Sequence, residues 1–275
     1  MFYPNTTSRP PADMAIPYTE QLYFTIATQI PFVIFFYMGI RDLTTRNDPK
    51  TLFFGIGGCL ASAFEPVVDF LGGCYFPREG NWVAFETFGR PIPLFVPATY
   101  GWFVGGMGYW FWNVFRDPKT TPRDVYILWV KAFIVNLVLE YPPLYFGIYT
   151  YYGYQPLTIG GFPLWFPALN ATSPMVAATI LTLLTPHLSG WSNVAVISTV
   201  ATSYGMTHAA FGAPLWMAMS VDKGYHVSYP ACAITAFLLF MGVWTISRQF
   251  SHGTIKLNAN GKIAKDVKFN GVGKY

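Results

Sequence analysis

Between Glu140 and Asp222 the chain contains no aspartate, glutamate, lysine or arginine, and its only basic side chains there are His187 and His208. A water-soluble domain carries about 25% charged residues spread over its surface, so a stretch of this kind cannot form the outside of a soluble fold. The whole chain agrees: 53% of its 275 residues are hydrophobic and 11% charged. An ordinary soluble enzyme is excluded, and an all-α, polytopic membrane bundle is expected.

A membrane-crossing helix needs about 20 mostly apolar residues. Windows of that kind run near residues 21–40, 51–71, 92–115, 125–148 and 227–246. Two more, 173–188 and 191–213, are joined by the turn-like Leu188-Ser189-Gly190-Trp191. The expectation is seven spans in a single transmembrane domain over 1–248, followed by a basic, disordered tail over 249–275. The N-terminal 20 residues hold four prolines and no apolar run of signal-peptide type, so the first span is expected to direct insertion without a cleaved leader. With the N-terminus outside, the inner segments hold Arg41, Arg46, Lys50, Arg116, Lys119, Arg123, Arg248 and five tail lysines, against Arg9, Arg78, Arg90 and Lys223 outside. That asymmetry places the C-terminus in the cytoplasm. Lys131, inside the fourth span, is read as snorkelling to the cytoplasmic side.

Several chemistries drop out. Cys59, Cys74 and Cys232 form no metal or disulfide pattern. The formal charge of +4 is concentrated in the tail, which leaves the body near neutral and argues against nucleic acid as a partner. There is no phosphate-binding glycine loop or Asp-rich diphosphate motif, no lysine in the last span for a retinal, and no pair of histidines at one depth for a haem. The spacing of the acids supports no metal, and no cofactor is implied. The partners expected are the bilayer and a lipophilic small molecule; nothing in the sequence bears on oligomeric state. Asn5 and Asn170 begin glycosylation triplets that fall on the outer side.

An ionisable group inside a span costs roughly 2.5 to 3.5 kcal/mol on insertion scales, so it marks a cavity or a partner. Glu65 and Asp69 stand four residues apart and share a helical face. Pro66, lacking an N–H, is expected to kink the span and leave the Ser62 carbonyl free. Asn136 and Glu140 share a face of the fourth span, and Tyr204 and His208 share one of the sixth. Glu65, Asp69, Glu140 and His208 fall at one depth in the outer half, so they are expected to converge on a polar cavity roofed by aromatic connections over 72–91 and 150–172. Glu86, Arg90 and Trp82 in the first connection, with Tyr204 and Asn136, are the expected substrate contacts. Two carboxyls one turn apart in apolar surroundings tend to share a proton, so one can donate while the other accepts. That suits acid-catalysed cyclisation or dehydration of a polyketide-like or terpenoid-like substrate. A proton-coupled transporter or a lipid-binding membrane subunit is the alternative, with the same acids as a relay.

The runs Phe64-Glu-Pro-Val-Val-Asp-Phe-Leu-Gly72, Cys74-Tyr-Phe-Pro77, Ala84-Phe-Glu-Thr-Phe-Gly-Arg-Pro-Ile-Pro93 and Tyr100-Gly-Trp-Phe-Val-Gly-Gly106 resemble the AveC-like spirocyclase family of bacterial membrane proteins. The resemblance implies spiroketal formation from a dihydroxyketone, with dehydration as an associated activity, in secondary metabolism at the bacterial cytoplasmic membrane. The matching polar positions are Glu65, Asp69, Glu86 and Arg90, and the family supplies no assignment of catalytic roles to them.

Overall fold

A computed structural model describes residues 9–250. Five of its helices are long and apolar enough to cross a membrane, the architecture of a polytopic membrane protein: Tyr18–Arg46, Lys50–Gly72, Pro122–Tyr145, Trp165–His187 and Tyr225–Arg248. Residues 1–8, including Asn5, and residues 251–275, which hold nearly all of the expected disordered tail, lie outside the described residues.

Helix α1 (Tyr18–Arg46) is peripheral, with Tyr23, Ile26, Ile30, Val33, Ile34 and Tyr37 exposed along it. Such a stripe is stable only against lipid. It ends at Asn47, whose left-handed backbone returns an N–H to the Asp42 carbonyl. Buried Asp42 ties the next helix on, accepting from Thr51 Oγ1 at 2.9 Å.

The second span is built in two pieces. Helix α2 (Lys50–Ala61) tightens into a 3₁₀ turn over Ser62–Phe64 and resumes as α3 (Glu65–Gly72). Pro66 therefore sits in the first turn of α3, where its missing N–H has no helical partner to lose. The Ser62 carbonyl is not left free as the proline rule implied, because the 3₁₀ turn brings the Glu65 N–H onto it. Helices α4 (Phe95–Tyr100) and α5 (Met107–Phe115) are joined by a π-helical turn over Gly101–Gly106 into one rod. Helix α6 (Pro122–Tyr145) opens on a reciprocal capping box between Thr121 and Asp124. Helices α7 (Trp165–Leu184), α8 (Ala195–Ser220) and α9 (Tyr225–Arg248) complete the bundle.

The span expected from Ser173 begins at Trp165 instead, which shortens the connection before it. Pro167, Asn170, Thr172, Ser173 and Pro174 hide the apolar run, yet Pro167 falls in the first turn of α7, where no N–H is required. Asn170 is consequently buried inside a helix and is not a surface glycosylation site. With 72% of its apolar window buried, α7 is the central helix, packed on α5, α6 and α8.

One end of the bundle carries a cap of short hairpins. Strand β1 (Cys74–Tyr75) pairs with β4 (Thr150–Tyr151), β2 (Val83–Thr87) with β3 (Arg90–Pro93), and β5 (Thr158–Ile159) with β6 (Phe162–Pro163), all antiparallel. The last two turn on Phe88-Gly89 and Gly160-Gly161, where both residues have positive φ, as two-residue hairpins require. Gln155 fastens the cap to the bundle, donating to the Gly72 carbonyl at 2.7 Å and accepting from Trp165 Nε1 at 3.2 Å.

Candidate functional site

Directly beneath the cap, α3, α4, α6, α7, α8 and strands β1 and β4 enclose a cavity of about 60 Å³. A bound water needs about 10–15 Å³ of such space, so the cavity, part-open to the outside, has room for a few waters. Glu65 and Asp69 line it from α3, Asn136 and Glu140 from α6, Asn170 from α7 and Tyr204 from α8. Tyr100, Tyr149, Tyr151 and Cys74 add hydroxyls and a thiol, and Phe24, Phe76, Phe95 and Phe166 supply apolar wall. No lysine or arginine lines it.

The polar groups form two linked sets. Tyr100 donates to Glu65 Oε2, and the Tyr100 and Tyr204 hydroxyls share a hydrogen bond at 2.5 Å, with their rings edge-to-face at 4.8 Å. Tyr204 also lies 3.5 Å from Glu65 Oε2. On the other side Tyr149 donates to Glu140 Oε2, while Asn136 Nδ2 lies 3.4 Å from Glu140 Oε1. Tyr149 stands in the cap, where burial and then the nearby Glu140 push its phenol well above the usual range, so it remains a donor at neutral pH. Asn170 continues this second set, its Nδ2 3.1 Å from Asn136 Oδ1 and its Oδ1 3.0 Å from His208 Nε2.

Asp69 is buried and faces the Cys74 thiol, while its Oδ2 has no hydrogen-bond partner among the described residues. A buried carboxyl oxygen left open into a cavity is a place for a ligand hydroxyl or a water.

Of the four groups expected at one depth, Glu65, Asp69 and Glu140 line the cavity and His208 does not; Asn136 and Tyr204, expected as substrate contacts, line it too. His208 is fully buried one layer behind the wall, its ring centre 4.1 Å from that of Tyr204 and its Nε2 against Asn170. Arg90 is buried in the cap rather than in the cavity wall, donating to the Tyr152 hydroxyl at 2.6 Å, with its guanidinium 5.7 Å from the ring centres of Phe70 and Tyr152. Glu86 and Trp82 do not reach the cavity. Strand β2 shows its edge to the outside, so Glu86 is exposed in a bidentate ion pair with Arg78 at 2.7 and 2.8 Å. Trp82 packs edge-on against Tyr18 at 5.4 Å, and its N–H donates to Gln21 Oε1. Tyr100, Tyr149 and Asn170 are the site residues that sequence reasoning missed.

Away from the cap the bundle closes tightly. A Cβ on Gly58 would stand 2.5 Å from the Tyr100 carbonyl oxygen, so α2 and the α4–α5 rod touch backbone to backbone. Phe54, Phe111 and Trp112 are buried beyond that contact. A larger cavity of about 220 Å³ between α6, α7 and α9 is lined by Trp129, Trp165, Ala168, Leu239 and similar groups, and offers no carboxyl. Among the described residues no three His, Cys, Asp or Glu side chains are grouped to hold a metal ion. No protein-family model, curated protein or solved structure matches the chain.

Proposed function

We propose that this chain is a membrane-embedded acid–base cyclase that closes rings on a lipophilic hydroxyketone, with the capped cavity as its active site. The observation that carries the reading is the meeting of Glu65, Asp69 and Glu140 in one cavity that has tyrosine hydroxyls but no cation on its walls. Acid, base and hydrogen-bond donors are the groups that ketalisation and dehydration need. In this reading Glu65, backed by Tyr100 and Tyr204, protonates the ketone oxygen, and Asp69 or Glu140 takes the proton of the attacking hydroxyl. The acid so formed protonates the hemiketal hydroxyl, which leaves as water, and a second hydroxyl closes the spiroketal as its proton passes to Glu65, so the site is restored and the product is lighter than its precursor by one water. His208 acts from behind, as a positioning group for Glu140.

The resemblance of the Phe64–Gly72 and Ala84–Pro93 runs to the AveC-like spirocyclases supports the same chemistry. The proposal includes seven spans, with the α4–α5 rod and α8 added to the five, the N-terminus and cap outside, and the tail in the cytoplasm of a bacterial cell. The lysine and arginine asymmetry supports that orientation. A transporter would need a polar path continuing away from the cap, and the close contact of Gly58 with the Tyr100 backbone weighs against one.

The test is mass spectrometry of lipid extracts from a deletion strain carrying empty vector, wild type or Glu65→Gln. The expected result is a precursor that accumulates with empty vector and with the variant, and a species lighter by one water with wild type; removing a general acid costs about 10²- to 10⁴-fold in rate. Identical extracts, with proton flux or solute uptake altered by wild type, would replace the cyclase with a transporter.

A further inference from the structure

The chain of contacts from His208 to Glu140 has a property that donor and acceptor counting exposes. His208 Nδ1 lies 3.0 Å from the Tyr204 carbonyl oxygen, which can only accept, so Nδ1 carries a hydrogen. Nε2 lies 3.0 Å from the Asn170 amide, which lies 3.1 Å from the Asn136 amide, which in turn lies 3.4 Å from Glu140 Oε1. Exchanging the oxygen and nitrogen of an asparagine amide leaves its heavy atoms in place. Each amide must present opposite ends to its two neighbours, so fixing the state of one end of the chain fixes the whole of it.

Suppose Glu140 is a carboxylate. Asn136 must turn its NH₂ toward it and its oxygen toward Asn170, Asn170 must then turn its NH₂ toward Asn136 and its oxygen toward His208, and Nε2 must donate. With Nδ1 already donating, His208 is an imidazolium. Suppose instead that His208 is neutral. Nε2 then accepts from the Asn170 NH₂, Asn170 oxygen accepts from the Asn136 NH₂, and Asn136 oxygen needs a donor, which is the O–H of a protonated Glu140. Glu140 Oε2 accepts from Tyr149 in both arrangements.

We propose that Glu140 and His208 form one proton-holding unit relayed by Asn136 and Asn170, in which Glu140 is a carboxylate only while His208 is an imidazolium. When the proton shifts from Glu140 to Nε2 both amides reverse, one proton is gained at nitrogen for the one lost at oxygen, and Glu140 is left as the carboxylate that can accept from a bound hydroxyl. His208 is thereby a positioning residue that sets when Glu140 can act as base. Its use in catalysis rests on the cyclase reading, whereas the coupling itself is a property of the protein without substrate.

The other titratable groups facing the unit are Glu65 and Asp69 on α3, Cys74 on β1, Tyr100 on α4, Tyr151 on β4, Tyr204 on α8, and Tyr149. No arginine or lysine among the lining residues offers Glu140 a different counter-charge. Leaving an acceptor against an acceptor in a site this buried costs about 1–3 kcal/mol, which is why the amides are expected to reverse together.

The experiment is a pH titration of the full chain in nanodiscs without substrate. Infrared spectra report the carboxylic-acid stretch of Glu140, assigned by its loss in Glu140→Gln, and ¹⁵N-histidine NMR reports the ring. In the wild type, between the pH at which the unit gains a second proton and the pH at which it loses its one proton, the spectra should show either acid with neutral ring or carboxylate with imidazolium. Asn170→Leu, of similar volume but unable to relay, should allow a carboxylate beside a neutral ring within that range, and His208→Gln, whose uncharged amide can donate to Asn170, should let Glu140 become a carboxylate with no imidazolium present. Thermal unfolding of each variant checks that it is folded. A wild-type carboxylate beside a neutral ring in the pH range where the unit holds one proton overturns the proposal, as does wild-type pairing retained in folded Asn170→Leu. Neither outcome depends on whether the protein is a cyclase.

Discussion

Replacing Gly105 by alanine would put a Cβ 2.3 Å from the Phe54 carbonyl oxygen, 2.9 Å from the Phe54 carbonyl carbon and 3.2 Å from Gly55 Cα. Favourable contacts between non-bonded heavy atoms lie near 3.5–4.0 Å, so the overlap exceeds an ångström, and all three obstacles are backbone that no rotamer change can clear. The π-helical turn must move away from α2, and overpacking of this kind costs about 1–3 kcal/mol. Gly106 next door is the control, since its Cβ would meet only the Phe35 ring at 3.8 Å. Alanine there is tolerated and gains up to about 1 kcal/mol of helix propensity. The two variants should therefore differ by about 1–4 kcal/mol, which is roughly fivefold or more in the folding equilibrium. Reversible unfolding in mixed micelles with increasing SDS measures the difference. Gly105→Ala should also displace Tyr100, one residue before the turn, and so weaken the site. Equal or greater stability of Gly105→Ala would refute the claim that backbone contact closes the bundle at this level.

Glu86 lies outside the spans, and its hydrogen bonds from Arg78 hold its carboxyl below the usual glutamate value. A lowered folded-state value means that the pair's contribution is present above the unfolded value and is lost as pH falls through the folded one. Arg78→Gln should raise the Glu86 titration midpoint toward that of a free glutamate, measured by carboxyl NMR, with little change in thermal stability because both groups are in water. The Cys74 thiol is pushed well above its usual range, by burial first and then by the neighbouring Asp69. Because the thiolate is the reactive form, Cys74 should resist maleimide at neutral pH while the cap is closed, and Gln155→Ala, which unfastens the cap, should speed its labelling as followed by peptide mass spectrometry.

The spans were legible where apolar runs are uninterrupted, as in α1, α6 and α9. They were misread at α7, because prolines and an asparagine in its first turns look like loop until the helix start is known. The acids stood out because charge is expensive in lipid, and their four-residue spacing placed Glu65 with Asp69 and Asn136 with Glu140. Tyr100 and Tyr149 carried no comparable signal among 18 tyrosines, most of which suit a membrane interface. Asn170 could have been found from the same depth argument had α7 been started at Trp165. Glu86 and Trp82 shared the cap with Arg90 in sequence, but β2 is exposed along nearly all its length while β3 is buried, and Trp82, just before β2, packs on Tyr18 instead.

The walls of the site are not equally anchored. Most come from helices pinned on several sides, but Phe24 belongs to α1, only 17% of whose apolar window is buried. At the cap, Gln21 grips the Gly80 carbonyl and the Trp82 backbone N–H, a two-bond hook on a rod that is tied to α2 by Asp42 at its other end and shows much of its length to lipid. Segments with few buried contacts open at the lowest free energy. On the cyclase reading, a space of about 60 Å³ that takes in a lipophilic ketone would widen first at the α1 seam, and the guest would arrive sideways out of the bilayer, its tail never leaving oil while its oxygen-bearing end meets the acids.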